Sequence, residues 1–164
     1  MSIFSRFKKT TMTLLDTADT NTRFDTASFD AIIKQDKENL SKIRELARQG
    51  NFDCQKFLSQ MSLAFIQKNE YSSRSDQNML VLARKNFEIF TKLAAEQGDV
   101  TAQFNLAQYY LKSVDMEQEY LNLDEVERLK LALYWYEKAE ANGQPDLSSI
   151  IDALSAMQLD QLSE

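Results

Sequence analysis

The chain reads as an all-α protein, a short solenoid of antiparallel helix pairs with about six helices, on three observations. Its 164 residues include only three glycines and one proline, far too few for a strand-and-turn fold. Its apolar residues recur near a 3.6-residue period over most of the length. Its glycines, Gly50, Gly98 and Gly143, stand 48 and 45 residues apart, a near-constant spacing that marks a helical repeat. Hydrophobic residues make up 43% and charged residues 27%, ordinary for a globular chain long enough to bury one core.

Residues 1–27 are rich in threonine and weakly periodic, which predicts an irregular arm. Its first nine residues, MSIFSRFKK, carry +3 and leave −9 on the remainder of a chain whose formal charge is −6. From Phe29 the pattern changes: Ile32, Ile33, Leu40, Ile43, Leu46 and Ala47 predict a first helix over about 28–48, stopped by Gly50. Cys54, Phe57, Leu58, Met61 and Phe65 share one broad face of a second helix, about 52–68. After the polar loop NEYSSRSD, a third helix spans about 77–97 and ends at Gly98, and a fourth follows over about 100–113. An acidic loop leads to a fifth, about 124–142, ended by Gly143. Pro145 sits before or inside the first turn of a sixth, which runs to about Met157 and leaves 158–164 as a frayed tail. The repeat domain is thus 28–157.

The flanks of the three glycines agree. ELARQG, LAAEQG and AEANG precede them; Cys54, Ala102 and Leu147 stand four positions after, and Leu58, Leu106 and Ile151 eight after. Glycine ends one helix in the left-handed conformation, small residues let the two helices approach, and a large aliphatic residue one turn on fills the seam. Each glycine therefore marks a helix–turn–helix joint.

LALYWYEKAEANG and AAEQGDVTAQFNLAQYY resemble the Sel-one-like repeat family, a helical-repeat class related to tetratricopeptide repeats. The resemblance lies on Ala132, Trp135, Tyr136, Ala139 and Gly143, and on Ala94, Ala95, Gly98, Ala102, Leu106, Ala107 and Tyr110. It is dense over 83–143 and degenerate over 39–68, where Cys54 replaces alanine and Ser62 replaces tyrosine; Glu140 also departs from the family's alanine. The resemblance implies a right-handed α-solenoid whose groove binds a peptide or protein surface. It also implies that Trp135 is a core residue.

The inventory for chemistry is sparse. With no histidine, the commonest general base and most zinc sites are gone. No phosphate loop, nucleophile elbow or metal motif occurs, so no catalytic, cofactor-binding or metal-binding residue is assigned. Cys54 is the one cysteine and stands in register with packed seam residues, which predicts a buried small hydrophobe rather than a reactive thiol. A single cysteine, and no apolar run of signal or membrane-span length, predict a cytoplasmic protein with no membrane span. The negative charge argues against nucleic acid as a partner.

What remains is binding of a protein, with a basic partner favoured by charge. Asn105, Gln108 and Lys112 line one face of the fourth helix, and Lys56, Gln60 and Gln67 hold a comparable register on the second. Their amides suit a partner's backbone. Asp115, Glu117, Glu119 and Tyr120 belong to the acidic loop, which suits a basic surface. These residues predict a non-catalytic interaction module. Two variants of that reading are an inhibitor or immunity-type protein that blocks a basic effector, and a self-assembling solenoid with Ile150, Leu154 and Met157 at its terminal helix.

Overall fold

A computed structural model describes residues 15–25, 27–29, 39–70, 77–114 and 123–161. Among them there is no strand. Two helical turns, α1 (15–17) and α2 (27–29), precede six longer helices: α3 (Asn39–Gln49), α4 (Phe52–Asn69), α5 (Gln77–Glu96), α6 (Val100–Val114), α7 (Glu125–Ala141) and α8 (Ser148–Gln161). The described residues thus hold eight helical segments, not about six. α1 falls in the threonine-rich arm, and α2, capped by Asp25, stands at the start of the expected first helix. Both ends of each of four helices, α4, α5, α6 and α7, lie within one residue of the sequence reading. Residues 30–38, most of the first half of the expected first helix, lie outside the described residues. No helix among the described residues is long and apolar enough to cross a membrane.

The chain forms two compact units, Met1–Phe90 and Thr91–Glu164, with the boundary inside α5. In the first unit α3 packs on α4. Ile43, Leu46, Ala47, Cys54 and Leu58 are buried at that seam's level of the sequence. The face that α4 buries differs from the expected one. Gln55, Ser59, Ser62 and Ile66 are buried with Cys54 and Leu58, while Phe57, Met61 and Phe65 are only half-buried. The cause is local: Gln55 Nε2 donates to the Ala47 carbonyl at 2.9 Å, so the amide is satisfied inside, and the serines are small enough for close packing. At the far end of α4, the side chains of Glu70 and Arg84 pair at 3.1 Å, largely shielded from water, and tie the helix end to α5.

In the second unit α6 packs on α7 and α7 on α8. Leu106, Ala107, Leu129, Ala132 and Ala139 are at most 2% exposed. Trp135 and Tyr136 are buried as well, the latter edge-on to Phe104 at 5.9 Å.

The three glycine joints repeat one hydrogen-bond pattern. Gly50 and Asn51 donate to the carbonyls of Ala47 and Leu46. Gly98 and Asp99 donate to those of Ala95 and Ala94, and Gly143 and Gln144 to those of Glu140 and Ala139. The glycine φ angles are 109°, 91° and 102°. At such angles a side chain meets its own backbone, so these are the positions where glycine is required. The first two joints share two further bonds. Asn51 and Asp99 cap the next helix, accepting from Cys54 N at 3.0 Å and Ala102 N at 2.7 Å. Gln55 and Gln103 each donate to the carbonyl three residues before the glycine, at 2.9 and 3.0 Å.

The third joint departs. Pro145 and Asp146 intervene, Asp146 at φ 61°, and α8 begins only at Ser148. Leu147, in the position of Cys54 and Ala102, is still buried, but Ile151 is only half-buried and Leu154 fills the seam at 3% exposure. The expected alignment of Ile151 with Leu58 and Leu106 is therefore corrected to Leu154. The helix also continues to Gln161, past Met157.

Candidate functional site

A concavity in the first unit lies where Phe24, Asp25 and Phe29 meet α4. It has a volume of about 290 Å³ and is lined by Phe24, Asp25, Phe29, Asp53, Lys56, Phe57 and Gln60. Three phenylalanines form its floor. Phe24 and Phe29 stack at 5.2 Å between ring centroids, and Phe29 and Phe57 at 4.2 Å. Phe24 and Phe29 are buried, whereas Phe57 is half-buried and leaves ring surface at the cavity.

The wall is built by capping chemistry. Asn51 is fully buried, and its Nδ2 donates to the carbonyls of Asp19 and Thr22, at 2.7 Å each. The same side chain caps α4 through Oδ1, so one residue starts the helix and holds the preceding segment against it. Asp53, in the first turn of α4, accepts from the Phe24 amide at 2.9 Å and faces Arg23 at 3.5 Å. Asp25 Oδ1 accepts from both Ser28 N and Ser28 Oγ at 2.7 Å. These bonds hold the Asp25 carboxyl below its ordinary range, the hydroxyl first and the amide second. Asp19 is lowered the same way, chiefly by the Thr22 hydroxyl. Lys42 and Asp16 add an ion pair at the surface. Lys56 places its ammonium 5.2 Å from the Phe52 ring centroid.

A second surface was not foreseen from sequence. Met79, Leu82 and Ile89, at 47%, 48% and 51% exposure, are three of the five large hydrophobic residues that stand out into solvent among the described residues. Their spacing of three and seven puts them on one side of α5. The adjoining side carries Leu80, Phe87 and Phe90, all buried. α5 therefore carries two apolar sets, one buried and one exposed among the described residues. The signal was present as two interleaved apolar sets, but a single-period reading merges them into one broad stripe.

Of the sequence-derived candidates, Gln60 is exposed and lines the cavity; Gln108 and Lys112 are exposed on α6, and Asn105 is half-buried beside them. The structure does not bring Gln60 together with the α6 residues within either compact unit. Asp115, Glu117, Glu119 and Tyr120 lie outside the described residues. The end of their loop is described: Asp124 caps α7 by accepting from Glu127 N at 2.7 Å, and Glu125 and Glu127 occupy the first turn, where the helix dipole favours acids. Tyr134 is exposed, with the Lys138 ammonium 5.7 Å from its ring centroid.

Cys54 is fully buried. Burial, and after it the neighbouring Asp53 carboxylate, push its thiol up to about 12, so it carries no thiolate at neutral pH. Burial raises Tyr136 too. Among the described residues no group of three or more Cys, Asp or Glu side chains is placed to hold a metal ion. No family model, curated protein or solved structure matches this chain.

Proposed function

We propose that the chain is a non-catalytic adaptor, a Sel-one-like helical-repeat scaffold in the form of a short right-handed α-solenoid, that presents helix faces to a protein partner. The observation that carries this reading is the exposed apolar side of α5. Three large hydrophobic residues on one helix face are unusual for a free surface and usual for the centre of a protein interface. The repeated joints support the scaffold half of the proposal, because one hydrogen-bond pattern recurs at Gly50, Gly98 and Gly143. On α6, exposed Gln108 and Lys112, with Asn105 beside them, supply polar contacts of their own, and the acidic balance favours a partner with basic groups. Cys54, sealed in the core with its proton held, supports a non-catalytic role.

Site-specific photo-crosslinking tests the reading. A photoreactive phenylalanine analogue replaces Leu82 in the full chain, and a control chain carries it at Ser149, exposed at the start of α8. Irradiation in native lysate is expected to give one discrete heavier species from position 82 and none from position 149. Identical patterns from the two positions, or no product from either, would remove the proposal.

A further inference from the structure

The cavity on the 24–29 segment is distinct from the α5 surface and has its own chemistry. Its volume, about 290 Å³, is at the lower end for a small-molecule site and suits one long side chain better than a cofactor. Its floor is aromatic, and the charged residues among its described lining are Asp25, Asp53 and Lys56, with Arg23 paired to Asp53. Both Ser28 donors fall on Asp25 Oδ1, which leaves Oδ2 with no hydrogen bond from the described residues. Asp53 has each oxygen engaged already, one with the Phe24 amide and one with Arg23, and serves to fix the wall. An anion would meet two carboxylates here. A purely apolar group would leave Asp25 and Gln60 without use. A cation on an aliphatic stem satisfies both parts: methylenes against the half-exposed Phe57 ring, charge at the carboxylate and near the ring face.

We infer that this cavity takes the side chain of an arginine or lysine displayed by the protein partner, with the stem on Phe57 and the cation on Asp25 Oδ2. The inference rests on the reading of the chain as a protein-binding scaffold and names the partner chemistry that one of its surfaces would select. Gln60 at the rim would hydrogen-bond the partner's backbone. Lys56, whose charge repels the incoming cation, limits affinity and so sets how basic the partner must be.

The test uses the full chain with ¹³C-labelled phenylalanine rings and three capped amino acids as probes. They are N-acetyl-arginine N-methylamide, the lysine equivalent, and the norleucine equivalent as the uncharged stem. The arginine or lysine probe is expected to shift the Phe24, Phe29 and Phe57 ring signals saturably, at least fivefold more tightly than norleucine. Asp25→Asn keeps an oxygen for the Ser28 donors while removing the charge, and should weaken the cationic probes at least fivefold. Lys56→Gln should tighten them about threefold. Equal binding of norleucine, an unchanged affinity in Asp25→Asn, or no shift with any probe would overturn the inference. Those failures leave the crosslink at Leu82 untouched, so the adaptor reading survives or falls on its own measurement. Conversely, selective cation binding in a chain that gives no crosslink would keep the pocket and remove the adaptor.

Discussion

Asn51 and Asp99 occupy the same place in the repeat, one residue after a joint glycine, yet they do different work. Both cap the following helix through a side-chain oxygen. Only an amide can also donate, and Asn51 uses its Nδ2 to hold the Asp19 and Thr22 carbonyls. Asn51→Asp keeps the cap but places a carboxylate against two carbonyls in a fully buried site. The expected cost is about 2–4 kcal/mol in urea unfolding, with faster amide exchange at Phe24 as the segment loosens. Asp99→Asn, which preserves a capping oxygen, should cost about 1 kcal/mol or less. The cap was legible in the sequence as a polar residue after glycine. The clamp was not, because its acceptors are backbone carbonyls about thirty positions away and carry no side-chain signature. The same holds for the cavity: Phe24 reads as part of an irregular arm and Phe29 as the start of the first helix, although the pairs Asp19–Thr22 and Asp25–Ser28 are local capping signals at a spacing of three. Cys54 was legible, since its register with Ala102 fixed its environment. Its thiol should react with a disulfide reagent at pH 8 about a hundredfold more slowly in the folded protein than in denaturant. The sign of its pH effect follows. The unfolded thiol ionises near 9.0 and the folded one near 12, so the unfolded state gains from deprotonation between those values. Cys54 thus leaves stability intact below pH 9 and lowers it as pH rises towards 12, a slope that Cys54→Ala should reduce.

At the scale of elements, helix positions followed from periodicity and from the glycine stops, and the ends of α4 through α7 needed almost no adjustment. The exception is α8. Pro145 suggested an early helix start, but Asp146 takes a left-handed conformation and delays the first turn to Ser148. That delay exchanges Ile151 for Leu154 at the seam. Leu154→Ala should therefore cost about 2–4 kcal/mol, and Ile151→Ala about 1 kcal/mol, measured by chemical denaturation. Equal costs would return the joint to the register of the other two. The glutamines after the first two joints belong to this scale as well. Gln103 donates to the Ala95 carbonyl and accepts from Asn142 Nδ2 at 3.0 Å, linking two joints within the second unit. Gln103→Leu leaves a helix-terminal carbonyl and an amide without their partner, at a cost of about 1–3 kcal/mol. A sequence pattern shows a glutamine five positions after the glycine at both joints, but not that it is buried, since an amide at a helix start reads as solvent-facing.

The whole molecule combines a repeated joint with surfaces that the repeat does not dictate. Its charge of −6 and its lack of histidine narrow the chemistry, and they were available from composition alone. The α5 face was not, because exposure of an apolar residue depends on which of two interleaved stripes the neighbours cover. If the adaptor reading is right, Met79, Leu82 and Ile89 cost the free protein solubility and are compensated in the complex. The most direct measurement is affinity capture of the tagged full chain from its native lysate, beside a Leu82→Glu/Ile89→Glu variant whose helical content and melting match the unmodified chain. The account predicts one stoichiometric protein partner, depleted at least tenfold in the variant. A partner captured equally by both chains would contradict the α5 surface as the binding site, and no partner above background would contradict the adaptor itself.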